Sequence, residues 1–403
     1  MQYRFSEKFA SLKPSAVREI LKSDAGKHNI PFSAGNPAAE SFPSDFVRRA
    51  AEQILESRPV EALQYGISEG WAPLRETLMT WCEKRCGVDM SRNDLIVVSG
   101  AQQGIELTAK VMCNEGDTVI AEDPSFIGAL NAFRSCGLKL KGIPLDSDGA
   151  SAEALDRVLA SDKKAKLVYL IPTFQNPTGI TASAERRAEL LEVAKKHDAI
   201  ILEDDPYRET RFAGADVPTI KSMDDEGRVV YCGSFSKVLS AGMRVGFVVA
   251  APELLAKITV AKQCSDVHTN MLAQMIVDSF VNAGHVESHI SKIRRIYKRK
   301  YALMAEGARK NFPEGVTLTE PQGGLFVWCA LPQGSDALKV TALAKERGVS
   351  VVPGLAFAVK EGENVPFIRL NYSTPSDAQI ERGMEILGGV LRDYLAMLAE
   401  EKK

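Results

Sequence analysis

The stretch Val229-Val230-Tyr231-Cys232-Gly233-Ser234-Phe235-Ser236-Lys237 starts as an apolar strand and ends in a lysine that follows two serines. Arg244 follows this lysine by 7 residues. A lysine amine at a strand end can form a Schiff base with an aldehyde cofactor, and Ser234 and Arg244 can hold a phosphate of the same molecule. The alternative is a solvated loop with one ordinary lysine. This stretch alone is equally compatible with both, and the rest of the chain favours the chemical interpretation.

Short apolar runs of the same kind recur along the chain, and helical patterns such as 105–112 and 184–196 lie between several of them. The runs lie at 95–99, 118–121, 139–143, 167–171, 199–202, 229–232 and 245–249. Continuous apolar strands that alternate with helices are typical of a mostly parallel sheet covered on both faces. The sequence therefore predicts an α/β fold with a seven-stranded sheet that binds ligands beyond the carboxyl ends of its strands.

The pattern changes after about Gly284, where a smaller α+β lobe is predicted. Its elements are helices at 286–310 and 336–347, strands at 316–320, 325–330 and 367–371, and a closing helix that Ser376 caps. The first 45 residues hold a short helix at 15–23 and are too few to fold alone. We therefore expect a large domain at 46–283 and a small domain that combines 1–45 with 284–403.

Composition limits the partners of this chain. The 403 residues are 45% hydrophobic and 25% charged, and the net charge of −2 gives no electrostatic basis for binding nucleic acid or an anionic membrane. The N-terminus lacks the apolar region of a signal peptide, and no apolar run approaches the roughly 20 residues that span a bilayer. We expect a cytoplasmic protein without a nucleic-acid or membrane partner.

The cysteines support the same compartment. Their number, 7, is odd, and no C-x-x-C motif occurs. Cys82 and Cys86 could share a helix face, but no second pair with metal-ligand spacing follows. Reduced thiols, as in cytosolic proteins, are therefore expected, and a metal site is not.

Two further strand ends carry candidate binding groups. The strand at 95–99 runs into Gly100-Ala101-Gln102, a small-residue turn whose backbone N–H groups can bind an anion; a plain strand–helix turn is the alternative. The strand at 167–171 leads to Asn176-Pro177-Thr178-Gly179, and the Asn176 amide can donate to a ring oxygen or a carboxylate.

Acidic residues follow the strand at 199–202, in the sequence Glu203-Asp204-Asp205-Pro206-Tyr207. Such residues are often metal ligands or helix caps, but no histidine pair supports a metal here. A carboxylate paired with a pyridinium nitrogen keeps that nitrogen protonated, and the ring then withdraws electrons from a substrate carbanion. Tyr207 could reach the oxygen of the same ring.

Together these motifs resemble the class I/II aminotransferases of the pyridoxal-phosphate fold-type I superfamily, from Gly35 to Arg369. The anchors are Asn176-Pro177-Thr178-Gly179, Asp204-Asp205-Pro206-Tyr207 and Ser234-Phe235-Ser236-Lys237 with Arg244, in this order. The resemblance implies the fold-type I architecture, with a large sheet domain and a small lobe. It also implies pyridoxal 5′-phosphate as the cofactor.

The resemblance implies catalytic roles for three residues. Lys237 is similar to the lysine that binds the cofactor covalently and then moves the substrate proton. Asp204 is similar to the partner of the ring nitrogen, and Tyr207 to a donor to the ring oxygen, a role that Asn176 shares.

The resemblance also implies the rest of the cofactor site. Ala101 and Gln102 match the phosphate-binding turn, which Ser234 and Arg244 complete. Phe126 matches the aromatic residue that stacks on the ring; many family members have tyrosine there, so stacking is kept and a hydroxyl is lost.

Substrate binding is implied for Arg369, which matches the arginine that takes the α-carboxylate; a surface ion pair is the alternative. Substrate binding is implied for Asn176 and Gly35 as well. Tyr65 resembles the tyrosine that reaches the phosphate of the neighbouring subunit, which implies a homodimer with active sites at the interface.

Within the superfamily the 2-aminoadipate/kynurenine aminotransferase branch is the most similar. The segments 15–21 and 32–37 resemble its N-terminal helix and capping loop, and Arg18 matches an arginine that pairs with acidic side chains; a solvated helix face is the alternative. The loop departs from the branch at Asn36-Pro37-Ala38, which puts the side-chain pocket in doubt.

The resulting prediction is amino transfer between 2-oxoglutarate and an α-amino acid of the 2-aminoadipate, aromatic or branched aliphatic type. A lyase, racemase or decarboxylase on the same scaffold is the alternative, because fold does not fix reaction type. A regulator with an aminotransferase-like sensor domain would need a basic winged helix before Gly35, where the sequence leaves too little room.

Overall fold

The computed structural model describes residues 3–10, 12, 29–360, 362 and 365–401. Its strands are β1 Ile30–Pro31, β2 Asp94–Val98, β3 Thr118–Asp123, β4 Lys139–Asp146, β5 Gly149–Ala150, β6 Ala165–Leu170, β7 Ile200–Asp205, β8 Val229–Ser234, β9 Gly246–Ala250, β10 Thr317–Leu318, β11 Phe326–Ala330, β12 Val349–Ser350, β13 Val352–Pro353 and β14 Phe367–Asn371. Its α-helices are α1 Glu7–Ala10, α2 Ser44–Ser57, α3 Pro59–Leu63, α4 Ala72–Trp81, α5 Ala101–Met112, α6 Ile127–Ser135, α7 Ala152–Ser161, α8 Ala184–Lys196, α9 Ile220–Met223, α10 Pro252–Gln263, α11 Met271–Asn282, α12 Val286–Asn311, α13 Ala337–Glu346 and α14 Asp377–Glu401.

The large sheet has 8 strands in the order β2-β9-β8-β7-β6-β3-β4-β5. The pairs β8-β7, β7-β6, β6-β3 and β3-β4 are parallel, whereas β9 is antiparallel to both of its neighbours. All seven predicted strands are present. The eighth, β5, was not predicted, because its two residues form only a short antiparallel extension of β4.

Helices cover both faces of this sheet, and β6 shows why its sequence is apolar throughout. Leu167 and Tyr169 pack into one hydrophobic cluster, and Val168 and Leu170 pack into another on the opposite face. A strand that is buried on both faces gains about 1.5–3 kcal/mol from each large apolar side chain. The mostly parallel α/β prediction is therefore confirmed.

Strand β7 is longer than predicted, because buried carboxylates continue it to Asp205. Glu203 is tolerated inside the strand because its oxygens accept hydrogen bonds from the backbone N–H groups of Ile220 and Lys221, at 3.0 and 2.8 Å. The acidic residues that were predicted to follow the strand thus belong to the strand end itself.

A second, antiparallel sheet has the order β10-β11-β14-β13, and the long helices α12 and α14 pack against each other beside it. The segment after β1 joins this sheet, because Asn371 donates its backbone N–H to the Phe32 carbonyl at 2.9 Å. This contact places Ser33, Ala34 and Gly35 next to β14. The helix predicted at 15–23 lies outside the described residues.

Candidate active site

The candidate residues meet at one edge of the large sheet. Because β3, β6, β7 and β8 are parallel, the segments that follow them emerge at the same edge, with Phe126, Asn176, Asp204 and Lys237 on or just after them. The reversed strand β9 contributes from its other end, since Arg244 lies two residues before its start. Strand order therefore gathers residues that are far apart in the sequence.

Lys237 lies at the centre of this group. Its Nζ donates a hydrogen bond to the Gly35 carbonyl at 2.8 Å, so the N-terminal segment covers the amine. The pKa of Lys237 is lowered to about 8, chiefly by desolvation and also by the positive charges of Arg369 and Arg244, against the opposing effect of Asp204. A buried amine with a lowered pKa is available as a nucleophile and a base near neutral pH.

Asp204 is 3% exposed and presents one free oxygen to the site. Its Oδ2 accepts a 2.7 Å hydrogen bond from the Tyr169 hydroxyl, whereas its Oδ1 is buried without a partner among the described residues. Burial raises the pKa of Asp204 to about 7, and the hydrogen bond from Tyr169 opposes the rise. An unpaired buried carboxylate oxygen requires a donor, and a protonated ring nitrogen fits that requirement.

Asp205 points to the other face of β7, as strand alternation requires. Its Oδ2 accepts from the Tyr231 hydroxyl at 3.2 Å and lies 3.9 Å from Arg208. The structure therefore separates the two neighbouring aspartates: Asp204 lies on the side of Lys237, and Asp205 lies in a separate polar cluster.

Asn176, Tyr207 and Arg369 form a chain of contacts beside Lys237. The Asn176 amide Nδ2 lies 3.5 Å from the Tyr207 hydroxyl, and its Oδ1 accepts from Arg369 Nη1 at 3.1 Å. Both Asn176 and Tyr207 are buried. Burial raises the pKa of the Tyr207 hydroxyl, so this group stays protonated and can act as a donor.

Arg369 is buried at 3% exposure, which rejects the surface ion pair considered from the sequence. Its Nη2 donates to the Ser33 carbonyl at 2.9 Å, and its guanidinium lies 4.2 Å from the ring centre of Phe326. Its Nε has no hydrogen-bond partner among the described residues. Burial lowers the pKa of Arg369 to about 10, so the fork stays charged and available for an anion.

The predicted phosphate-binding turn combines Gly100, the start of helix α5 and the side chains of Arg244 and Ser234; we call this group the phosphate cradle. Gly100 has φ of +82°, and a Cβ at this position would lie 2.2 Å from Arg244 Nη2, so glycine lets the guanidinium approach. Ala101 and Gln102 begin helix α5, whose first N–H groups have no intrahelical acceptor. Arg244 also donates a hydrogen bond to the Ser99 carbonyl at 3.1 Å. The Ser234 hydroxyl lies 2.9 Å from the Ser236 hydroxyl.

Phe126 immediately precedes helix α6, and its ring lies over Gly128. A Cβ at Gly128 would meet the Phe126 ring at 2.4 Å, so this glycine makes room for the aromatic ring. The Gln102 side chain donates to the Gly128 carbonyl at 2.8 Å and links the ring to the phosphate turn.

Tyr65 stands apart from this cluster within its own chain. It is 81% exposed, and its ring contacts that of His268 at 5.7 Å between centroids. Arg18 lies outside the described residues. The roles of both residues stay predictions.

Two buried residues of the site escaped the sequence analysis. Tyr169 holds Asp204, and Glu122 accepts hydrogen bonds from the Ile171 N–H and the Gln175 amide at 3.2 and 3.1 Å. Tyr169 lies inside an apolar run and looks like a core position in the sequence, whereas Glu122 directly follows the apolar run 118–121. The only signal in the sequence is a polar group in or beside a buried run.

Within the described ranges, no helix is long and apolar enough to cross a membrane. The same ranges contain no group of three or more histidine, cysteine or acidic residues that could hold a metal ion. All seven cysteines are free thiols.

Residues 27–387 match the family model of the aminotransferases class I and II. The chain belongs to this family. It is 39% identical to aromatic-amino-acid aminotransferase 1 of Thermococcus litoralis, over 97% of this chain and 94% of that protein.

Two solved aminotransferase structures are also similar. The kynurenine aminotransferase of Pyrococcus horikoshii, in complex with PMP, has a TM-score of 0.93 and 39% identity, and covers 96% of this chain and 97% of its own. The α-aminoadipate aminotransferase of Thermus thermophilus, complexed with N-(5′-phosphopyridoxyl)-L-leucine, has a TM-score of 0.90 and 37% identity, and covers 98% of both chains. The predicted family, branch and fold are confirmed.

This aminotransferase uses pyridoxal phosphate, and the described residues fit that group. Among the described residues Asp204 Oδ1 has no donor, and a protonated pyridine nitrogen would supply one. The turn around Gly100, with Arg244 against it, suits the phosphate, and the amine of Lys237 lies close enough to Arg244 and Asp204 for both charges to shift its pKa. The described residues therefore offer partners for the ring nitrogen and for the phosphate of the cofactor, and an amine for its aldehyde.

Asp204→Asn is expected to weaken cofactor binding by roughly ten- to a hundredfold, because a neutral amide cannot hold the ring nitrogen protonated. Titration of the cofactor-free variant with pyridoxal phosphate measures this change. Asp205→Asn is the matched control and should retain most of the affinity. A damaging Asp205→Asn with a harmless Asp204→Asn would show that the two aspartates have been assigned in the wrong order.

Proposed function

We propose that this aminotransferase moves an amino group between 2-oxoglutarate and α-amino acids of the 2-aminoadipate, aromatic or branched aliphatic type. The buried, charged fork of Arg369 beside the amine of Lys237 carries the proposal, since every such substrate has an α-carboxylate next to its α-amine. The names of the similar enzymes support the three side-chain types.

A panel of amino acids tests this substrate range. With 2-oxoglutarate as the acceptor, 2-aminoadipate, kynurenine, phenylalanine and leucine should all give glutamate and the matching 2-oxo acid. Serine and glycine serve as controls with small side chains and should react poorly. Failure of 2-oxoglutarate to accept the amino group from any of the four would contradict the proposal.

The proposed roles follow from the contacts in the site. When bound, pyridoxal phosphate supplies an aldehyde that takes up the amino group and a ring that withdraws electrons from the substrate Cα. Lys237 Nζ would hold the cofactor through this aldehyde and, as a free amine, would take the proton from the substrate Cα. Asp204 Oδ1 holds the proton on the ring nitrogen. Asn176 and Tyr207 donate to the ring oxygen.

The remaining residues bind and orient. The helix start at Ala101 and Gln102, with Ser234 and Arg244, surrounds the phosphate, and Phe126 stacks on the ring. Arg369 binds the α-carboxylate through the donor that no described residue engages. The backbone of Gly35, which now accepts from Lys237, closes the site against water on the substrate side.

The lowered pKa of Lys237 leads to a pH prediction. Only the neutral amine attacks the aldehyde, so cofactor uptake by the cofactor-free enzyme should accelerate with pH and level off above about 8. In Arg369→Ala the midpoint should move to higher pH, because a positive charge that disfavours the ammonium form is gone. Stopped-flow absorbance measures both midpoints, and a wild-type midpoint near 10.5 would show that Lys237 is not desolvated.

We also propose a homodimer with the active sites at its interface. Segment 55–67 carries large apolar side chains at high exposure; these are Leu55 39%, Val60 75%, Leu63 74%, Tyr65 81% and Ile67 58%. An exposed apolar patch of this size is costly in water and suits a protein partner, and a second copy explains why Tyr65 points away from its own site. Tyr65 would then donate to the phosphate in the partner subunit.

Mixed dimers test the reach of Tyr65. In homodimers, Tyr65→Phe should weaken cofactor binding by about 1 kcal/mol for one hydrogen bond. A dimer of one Tyr65→Phe chain and one Lys237→Ala chain should contain one intact site, with wild-type cofactor affinity, and one site with both defects. If every site of the mixed dimer carries a single defect, Tyr65 serves its own subunit.

The domain division and the compartment remain proposals of the same kind. A large domain at 46–283 is supported by the large sheet, whose strands all lie between Asp94 and Ala250. A small domain of 1–45 and 284–403 is supported by the pairing of β1 with β12. The seven free thiols support a reducing compartment, the cytoplasm.

A further inference from the structure

Gln175 is a buried glutamine, 1% exposed, that immediately precedes Asn176. Its side-chain amide engages two loops at once. Its Nε2 donates to Glu122 Oε2 at 3.1 Å and to the Pro124 carbonyl at 2.8 Å. Its Oε1 accepts from the Thr178 backbone N–H at 2.9 Å and from the Thr178 hydroxyl at 2.7 Å. The amide thus makes four hydrogen bonds inside the protein.

These partners fix the orientation of the amide. The Thr178 N–H requires an acceptor, and the Pro124 carbonyl requires a donor, so the oxygen and the nitrogen cannot exchange places. Glu122, 2% exposed at the end of β3, is held in turn by the Ile171 N–H at 3.2 Å. A flipped or missing amide would leave several buried polar groups unpaired.

The two bridged loops carry two different contacts to the cofactor ring. Pro124 lies two residues before Phe126, and Thr178 lies two residues after Asn176. We propose that Gln175, oriented by Glu122, is a positioning residue that fixes the ring-stacking Phe126 relative to the ring-oxygen donor Asn176. This inference rests on the roles proposed above for Phe126 and Asn176.

Gln175→Met tests the proposal, because methionine keeps the length and bulk of the side chain and removes all four hydrogen bonds. We expect the dissociation constant for pyridoxal phosphate to rise roughly tenfold, as for the loss of about one net hydrogen bond at the ring. The induced visible circular dichroism of the bound cofactor should also change, since this signal reports how the ring is held. Thermal unfolding of the cofactor-free enzyme records the effect on stability.

Gln274→Met is the matched control. Gln274 is also fully buried, and its amide bridges the Thr269 carbonyl and the Trp71 N–H at 2.7 and 2.8 Å, away from both ring loops. It should lower the unfolding midpoint but leave the circular dichroism of the bound cofactor as in the wild type. Equal changes in this signal for both variants, or a wild-type signal and affinity in Gln175→Met, would overturn the proposal.

Two milder variants cover the case in which Gln175→Met does not fold. Thr178→Val removes one hydrogen bond to Gln175 and should change the cofactor signal in the same direction by a smaller amount. Glu122→Gln keeps an acceptor for the Gln175 amide and should stay within about threefold of the wild-type affinity. A wild-type cofactor signal in Thr178→Val, or a larger defect in Glu122→Gln than in Thr178→Val, would contradict the proposed bridge.

A different result is expected if the ring contacts proposed for Phe126 and Asn176 are themselves wrong. If Phe126 and Asn176 do not contact the ring, Phe126→Leu and Asn176→Ala will leave the circular dichroism of the wild-type holoenzyme unchanged. If they do contact it and Gln175→Met alone is silent, only the bridging role is wrong.

Discussion

Lys237→Ala is expected to lower turnover by several orders of magnitude, because nucleophile and base are lost together. Lys237 is the amine with a lowered pKa at the centre of the site, and its Nζ donates a hydrogen bond to the Gly35 carbonyl. The variant should fold and can retain the cofactor through the phosphate cradle. The visible absorbance band of the lysine-bound cofactor should vanish, which a spectrum of the purified variant shows directly.

Chemical rescue separates the loss of the amine from a loss of structure. A small primary amine added to Lys237→Ala should restore part of the turnover, because it can enter the space left by the side chain and act as the base. Lys237→Arg is the charge-matched comparison and should stay inactive, since a guanidinium neither attacks the aldehyde nor accepts a proton at neutral pH. Near-normal transamination in Lys237→Ala would refute the proposed site.

Arg369→Ala is expected to lower kcat/KM for every amino acid by roughly 30- to 1000-fold, or about 2–4 kcal/mol for a desolvated charge pair. The guanidinium is buried, lies 4.2 Å from the Phe326 ring centre and keeps one donor without a partner among the described residues. Its loss should therefore be felt at the α-carboxylate, which all substrates share, whatever their side chains are.

An amine without a carboxylate is the control for this prediction. Phenylethylamine has the side chain of phenylalanine but offers nothing for Arg369 to bind, so its slow reaction should not be weakened further by Arg369→Ala. The ratio of the two rates isolates carboxylate recognition from general damage. Equal losses for phenylalanine and phenylethylamine would show that Arg369 supports the structure and does not bind the substrate.

The fold was predictable because parallel strands that are buried on both faces appear in the sequence as continuous apolar runs. The apolar runs that became β6 and β8 are buried throughout, and the polar residues at their ends then had to lie at one sheet edge. Helix α8 has the predicted bounds, 184–196, and the Ser183 hydroxyl oxygen caps it by accepting a hydrogen bond from the Arg186 N–H. Strands of two residues, such as β1 and β12, have no periodicity to detect.

The parts of the site that were missed depend on contacts between distant strands. Tyr169 lies inside an apolar run and Glu122 directly follows one, and only the folded structure shows their hydrogen bonds with Asp204 and Gln175. The end of β7 was misjudged because a carboxylate inside a strand is tolerated only when other segments supply donors, as Lys221 does for Glu203.

The most direct test of the account is to find the lysine that holds the cofactor. Borohydride reduction of the holoenzyme makes the bond between pyridoxal phosphate and its lysine permanent, and mass spectrometry of the peptides then locates it. The account predicts a single phosphopyridoxyl group on Lys237, with none on the buried Lys221, Lys262 or Lys300. A modified lysine elsewhere, with Lys237 unlabelled, would contradict it.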